Sequence, residues 1–210
     1  MLNKEVVLVG FSGHGFVVAD AAIAANMNLG YYTDKKQITK NPFDLAYLGF
    51  EGDLDYKFWD KEYDYILGIG DNLIRRKTAN LLISKGLNLL NVIHPSASIS
   101  AKVQFGIGNF ISRNVSVNAL VEIGDICILN TGCIIEHECL IGNGVHIAPG
   151  AVLAGNVEIG DNTFVGANSV IKQGVKIGEN VIVGAGSVVL KDVPSNTIVY
   201  GNPAKERKQW

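Results

Sequence analysis

The stretch Gly132-Cys133-Ile134-Ile135-Glu136-His137-Glu138-Cys139-Leu140-Ile141-Gly142-Asn143-Gly144-Val145-His146-Ile147 repeats its pattern every six residues. Ile135, Ile141 and Ile147 each follow a small or β-branched residue two places earlier, namely Cys133, Cys139 and Val145. The frame runs outward without insertion, back through Leu129, Ile123, Val117, Ile111, Phe105 and Ile99 to Ile93, and forward through Leu153, Ile159, Val165, Ile171, Ile177 and Val183 to Val189. An α-helix would space its apolar positions by three and four, and a plain strand by two. A period of six therefore reads as a parallel β-helix of hexapeptide repeats. Each hexapeptide is a short strand and a turn, and three close a triangular coil of 18 residues with the large apolar side chain inside. Coils stacked at about 4.8 Å make a rod roughly 25 Å long from about five coils. Gly follows the large residue at 106, 124, 142, 160, 166, 178 and 184, where a Cβ would crowd the turn.

Residues 1 to about 90 change character. Glu5 to Val9 reads as a buried strand, His14 to Asn26 as a helix, Asn28 to Tyr32 and Tyr65 to Gly70 as strands, and Arg75 to Lys85 as a helix capped by Asp71-Asn72. A last strand, Leu87 to Val92, leads into the coils. The alternation predicts an α/β, Rossmann-like βαβ domain. The expected organisation is residues 1–90, a β-helix at 91–192, and a tail at 193–210 that folds back through Val199 to Lys205 and frays from Lys205 onward.

Apolar residues make up 48% of the chain and charged residues 18%, which supplies ample core. The net charge of −2 gives no surface for nucleic acid or an anionic membrane. No apolar run approaches a membrane span, and the first strand is too short for a signal-peptide core, so the expected location is cytoplasmic. Cys127, Cys133 and Cys139 all fall two before a large apolar residue, where other coils carry Val, Ala, Ser or Thr. They read as small hydrophobes facing the prism interior.

Chemistry has two candidate places. The first strand ends in Gly10-Phe11-Ser12-Gly13-His14-Gly15, a Gly-rich turn opening a helix, which suits a phosphate. Its glycine spacing is not that of a dinucleotide fingerprint. Asp34 ends the second strand where a nucleotide-binding unit carries an acid, and Gly70-Asp71-Asn72 ends a later one and can line the same crevice. In the coils, His137 lies two after the inward Ile135, so it points outward between Glu136 and Glu138, as a general base requires. Gly155 stacks one coil above it, where a bare N–H can meet an oxyanion. His146 and Asn130 lie near the same turns.

Val9 to Gly15, Asn130-Thr131-Gly132 with Ile135 to Cys139, and Val199-Tyr200-Gly201-Asn202-Pro203-Ala204-Lys205 together resemble one family. It is the sugar acetyltransferases typified by PglD, with the NeuD-type sialic acid O-acetyltransferases, built on the left-handed β-helix of hexapeptide-repeat acyltransferases. The resemblance implies handedness, an acetyl-CoA co-substrate, and a homotrimer with the cofactor between neighbouring β-helices. It implies His137 as catalytic base and Glu138 as the carboxylate orienting it. Asn130 and His146 match residues near the acetyl group, Gly155 the amide facing the thioester oxygen, and Ala167 and Ala185 backbone contacts to the cofactor. Gly10, Ser12, Gly13, His14, Gly15 and Asp34 match the nucleotide-sugar site, to which Gly70 and Asn72 are added from their place after a strand. Lys35 departs from the second acid that follows this aspartate in UDP-sugar enzymes.

The function so implied is acetyl-CoA-dependent N-acetylation of a nucleotide-linked, UDP-type 4-amino-4,6-dideoxy sugar by direct transfer. The alternative within the class is O-acetylation of sialic acid or another sugar hydroxyl. A γ-carbonic-anhydrase-type zinc enzyme would need three ligands and an open position. The coils offer only His137 and His146, since His14 and His94 precede the coil core, so no metal is expected. A non-catalytic β-helix would have no use for the His-Glu pair.

Overall fold

A left-handed backbone turn recurs at every sixth residue from Gly108 to Gly186. Gly fills it at 108, 132, 144, 150, 174 and 186, and Asn at 114, 156, 162, 168 and 180, while Leu120, Ile126 and Glu138 occupy the remaining three corners. Gly and Asn tolerate this conformation, and for other residues it costs about 1–2 kcal/mol. These corners separate two-residue strands such as Ile128–Leu129, Ile134–Ile135, Leu140–Ile141 and His146–Ile147. Each strand pairs in parallel with the one 18 residues away, as Ile134 with Val152 and Ile135 with Leu153. The computed structural model, which describes residues 4–57, 59 and 62–207, is thus an N-terminal α/β unit followed by a left-handed parallel β-helix.

The prism has three walls. One carries Ile111, Leu129, Ile147, Val165 and Val183, the next Val117, Ile135, Leu153 and Ile171, and the third Ile123, Ile141, Ile159 and Ile177. These residues are at most 4% exposed. The position two before each is equally buried and alternates between apolar and weakly polar side chains. Cys127, Cys133 and Cys139 are free and buried there, as expected. The Cys127 thiol donates to the Gly142 carbonyl and that of Cys139 to Ala154, as the Thr163 hydroxyl does to Gly178 and the Ser169 hydroxyl to Gly184. Cys127, Cys139, Thr163 and Ser169 share this position because each donates to a carbonyl of the next coil. Burial pushes the Cys133 thiol up to about 12, far from a reactive thiolate.

The glycines after the large residue do relieve crowding, but not by turning the chain. A Cβ on Gly124 would fall 2.7 Å from the Asn143 Oδ1 of the next coil. The turn itself comes two residues later, at the left-handed corner. The frame closes with a two-residue deletion: Val193 bridges to Ile177, and Val199 pairs with Val183, each 16 residues on. Ile198–Gly201 and Ala204–Arg207 then form an antiparallel hairpin. Lys205 to Arg207 are therefore strand, a correction to the frayed end expected from their polarity. Residues 208–210 lie outside the described residues.

The chain divides into two compact units, Met1–Pro95 and Ser96–Trp210. The first contains β1 (Val6–Val9), α1 (Gly13–Ala24), β2 (Leu29–Thr33), β3 (Ala46–Tyr47), β4 (Asp64–Leu67), α2 (Asn72–Ser84) and β5 (Asn88–Leu89). All five strands are parallel in the order β3-β2-β1-β4-β5. The chain leaves β1 toward β2 on one side and returns to β4 on the other, so the C-terminal ends of β1 and β4 flank a topological switch point. Among the described residues no helix is long and apolar enough to cross a membrane.

Two substitutions test this frame. Ile147 is fully buried, and an unpaired carboxylate there costs several kcal/mol, comparable with the whole stability. Ile147→Asp is expected to give no soluble, cooperatively melting protein. Leu120 is 58% exposed at a left-handed corner. Leu120→Asn should relieve about 1 kcal/mol and raise Tm by about 2–4 °C; an unchanged or lower Tm would contradict the corner argument.

Candidate active site

The corner between the Ile135 wall and the Ile141 wall carries His137. Its side chain is about half exposed, and Nδ1 lies 3.0 Å from Glu138 Oε2. With Nδ1 donating to the carboxylate, Nε2 is left as the proton-accepting nitrogen. Glu138 stands at a left-handed corner with φ 59°, where Gly or Asn is the usual occupant. Strain held at a side chain that orients a histidine is the kind that collects at functional sites. Glu136, on the other side, is engaged elsewhere: its Oε2 accepts from Asn118 Nδ2 at 2.8 Å.

Gly155 lies directly over the imidazole. A Cβ there would fall 2.6 Å from His137 Nε2, so any larger residue would displace the ring. The Gly155 carbonyl accepts from Gly174 N at 3.0 Å, while its N–H has no backbone acceptor among the described residues. An imidazole and a bare amide donor therefore share one corner.

Asn130 and His146 are brought together one wall away, not at that corner. Asn130 Oδ1 accepts from Thr131 N at 2.8 Å, which turns Nδ2 toward His146 Nε2 at 3.2 Å. His146 is 8% exposed and meets the Phe164 ring edge-on at 4.9 Å. Ala167 and Ala185 stack one coil apart at the corner after the same wall, with Gly186 N donating to the Ala167 carbonyl at 2.8 Å. Neither alanine N–H has a backbone acceptor among the described residues, so both remain available to a ligand running along the prism.

In the first unit the remaining residues converge on the switch point. Gly10 has φ 87°, Ser12 precedes α1, and Gly13, His14 and Gly15 form its first turn. A Cβ on Gly13 would meet nothing within 4 Å, so the loop mouth is open there. Gly68 packs so closely that a Cβ would fall 2.9 Å from the Gly15 Cα. Gly70 faces His14, and Asn72 opens α2 behind the Asp71 cap, whose Oδ1 accepts from Ile74 N at 2.8 Å. Asp34, just past β2, ties the two strand ends together: Oδ2 accepts from Phe11 N at 2.8 Å and Oδ1 from Lys35 N at 2.7 Å.

Sequence reasoning passed over Arg75, whose side chain is 1% exposed beneath this crevice. An Arg placed in the first turns after Gly-Asp-Asn was the available signal. Burial, and secondarily the Arg75 charge, pull His14 down to about 4, so the folded protein keeps it neutral. Between 6.5 and about 4 the unfolded chain takes up a proton that the folded state refuses. Stability present above pH 6.5 is therefore lost on acidification, by about 1–2 kcal/mol at pH 5. His14→Gln should lose less stability than wild type between pH 7 and pH 5 in denaturant melts, and equal losses would contradict this account.

Two family descriptions match the chain in succession: "PglD N-terminal domain" over residues 5–82, and "Bacterial transferase hexapeptide (six repeats)" over residues 120–155 and 156–191. PerB from Caulobacter crescentus, solved with CoA and GDP-perosamine, is 32% identical over 97% of both chains, with a TM-score of 0.87. The acetyltransferase domain of PglB from Neisseria gonorrhoeae, solved with acetyl coenzyme A, is 31% identical over 98% of this chain and 100% of its own, with a TM-score of 0.91. WeeI from Acinetobacter baumannii is 26% identical over 96% of this chain and 99% of its own, with a TM-score of 0.81. With both halves matched in order and along nearly their whole length, the chain belongs to the PglD/NeuD-type sugar acetyltransferases.

Proposed function

We propose that this protein transfers the acetyl group of acetyl-CoA to the amine of a nucleotide-linked 4-amino-4,6-dideoxy sugar. The observation that carries the reading is the His137–Glu138 pair lying under the bare Gly155 amide. The acceptor nitrogen attacks the thioester carbonyl while His137 Nε2 takes its proton. Glu138 holds the imidazole and stabilises the cation that forms. The negative charge on the carbonyl oxygen is met by the Gly155 N–H. Collapse breaks the C–S bond, and the proton on His137 passes to the departing thiolate. No acyl-enzyme is needed, which agrees with buried thiols at Cys127 and Cys139 committed to carbonyl oxygens.

The division of labour assigns the nucleotide to the Gly10–Gly15 loop, Asp34, Gly70 and Asn72, and the acetyl donor to Asn130, His146, Gly155, Ala167 and Ala185. We take UDP as the expected carrier; the GDP-perosamine bound to PerB makes GDP the first competitor. The assembly in this reading is a homotrimer. The wall carrying Ile134 and Val170, 36% and 40% exposed, offers an apolar face for it. Cytoplasmic residence belongs to the same reading.

Steady-state turnover of UDP-, dTDP- and GDP-linked 4-amino sugars by wild type and three variants is the test. General-base catalysis is worth roughly 10²–10⁴-fold, so His137→Ala should lose about that in kcat with little change in KM for acetyl-CoA. Glu138→Ala should lose less, and Cys139→Ala should stay near wild type. Normal turnover by His137→Ala with an inactive Cys139→Ala would replace direct transfer by a cysteine acyl-enzyme. Acetylation of a sugar hydroxyl but of no amino sugar would move the protein to the O-acetyltransferases.

A further inference from the structure

The corner that carries His137 has two sides. On the side of the following coil Gly155 covers the ring, its Cβ position 2.6 Å from Nε2. On the side of the preceding coil the stacked residues are Asn118 and Ala119, both exposed. Ala119 brings only a methyl group to the space beneath the imidazole. Asn118 reaches up instead, and its Nδ2 donates to Glu136 Oε2 at 2.8 Å. The half-buried Glu136 therefore leans toward the preceding coil, while the imidazole lies against the following one.

Glu136 has no part in orienting the ring, because His137 Nδ1 is taken by Glu138 at 3.0 Å. The bond from Asn118 is the one hydrogen bond its carboxylate makes among the described residues, and it falls on Oε2. An ionised carboxylate only accepts, through about four lone-pair sites, so Oε1 has capacity for a further donor. The chemistry of the acceptor says what that donor is. An amine attacking a thioester turns its lone pair to the carbonyl carbon and has two N–H bonds left over. A hydroxyl has a single O–H. His137 Nε2 takes one hydrogen in either case, and the second N–H of an amine needs an acceptor of its own once water has left the site.

We infer that Glu136, held in place by Asn118, accepts the second N–H of the acceptor and so selects an amine over a hydroxyl at the acetylated carbon. A hydroxyl that has given its proton to His137 can offer Glu136 only lone pairs, which a carboxylate repels. Discrimination of this kind, by a hydrogen bond that the analogue cannot make, is stronger than discrimination by size. Glu136 is the residue in contact with the acceptor, and Asn118 is a positioning residue that acts through it. The inference rests on the proposed N-acetyltransferase reading, with His137 Nε2 as the proton acceptor.

The test compares two acceptors on the full-length protein: a nucleotide-linked 4-amino-4,6-dideoxy sugar, and the matching sugar with a hydroxyl in place of the amine. The hydroxyl sugar is followed by its KM where it is turned over and by its Ki against the amino sugar where it is not. Glu136→Met keeps the length of the side chain and removes both oxygens. It should lower kcat/KM for the amino sugar at least about tenfold, with the hydroxyl sugar's constant, the KM for acetyl-CoA and Tm all within about twofold or unchanged. Glu136→Gln, which keeps one accepting oxygen, should fall between wild type and Glu136→Met. Asn118→Ala leaves the carboxylate free to swing and should show the same asymmetry to a smaller degree. A merely structural Glu136 would move both acceptors together. Equal losses for the two sugars in Glu136→Met, or an unchanged amino sugar, would overturn the inference while wild-type acetylation of the amine keeps the reading beneath it. A wild type that acetylates only the hydroxyl sugar, or neither sugar on any of the three nucleotides, removes that reading and this inference with it.

Discussion

The left-handed corner is the constraint on which the coil structure depends. A two-residue strand buries one large side chain and must then turn through a third of a circle before the next. One residue in six takes up that turn in a conformation most L-residues resist, and Gly or Asn removes most of the cost. Because the corner falls in strict register, every residue of the hexapeptide has a fixed address. Two positions face inward, one follows at the wall's edge, and one projects from the corner. Register also makes the position 18 residues on a stacking partner, and this alone brings Gly155 over His137.

The candidate site lies where the frame departs from its least-cost residues. Glu138 occupies a corner mostly given to Gly or Asn, and its carboxylate is the one in contact with His137. Leu120 and Ile126 share the conformation, and nothing in the structure accounts for them. Strain alone therefore does not mark a site. Strain at a residue that also holds a solvent-facing histidine makes Glu138 the better candidate.

Much of this was legible in the chain because a period of six leaves no freedom in assigning faces. Ile135 inward fixes His137 outward and Cys139 inward, and the structure places all three that way. The left-handed corners were less visible, since Asn and Gly alternate there irregularly while the glycines beside the large residues form a more conspicuous column. β3 has only Ala46 and Tyr47 to announce it, and the hairpin through Lys205 to Arg207 is polar, so neither carries an apolar pattern. The separation of Asn130 and His146 from His137 by a whole wall follows from the register. Arg75 escaped because a buried cation leaves no periodic trace, only a hydrogen-bonding demand that becomes visible once Ile69, Gly70 and Asn72 surround it.

The two units solve the same problem by different means. Each presents backbone N–H groups: the first at a helix N-terminus beside a Gly-rich loop, the second at Gly155, Ala167 and Ala185, just before the corners, whose N–H groups have no backbone acceptor among the described residues. Backbone donors are indifferent to side-chain identity, so binding can persist while residues around it vary. In the proposed reading side chains serve what backbone cannot do, as His137 does in moving a proton. An extra residue inside a coil strand would turn its neighbour to the wrong face, whereas a change of length at a corner is absorbed, as the two-residue shortening before Val193 and Val199 shows. The loops after β1, β2 and β4 carry no such register. Under the proposed division of labour, change in acceptor preference is free to accumulate in the first unit, while the geometry of acetyl transfer is held by the second.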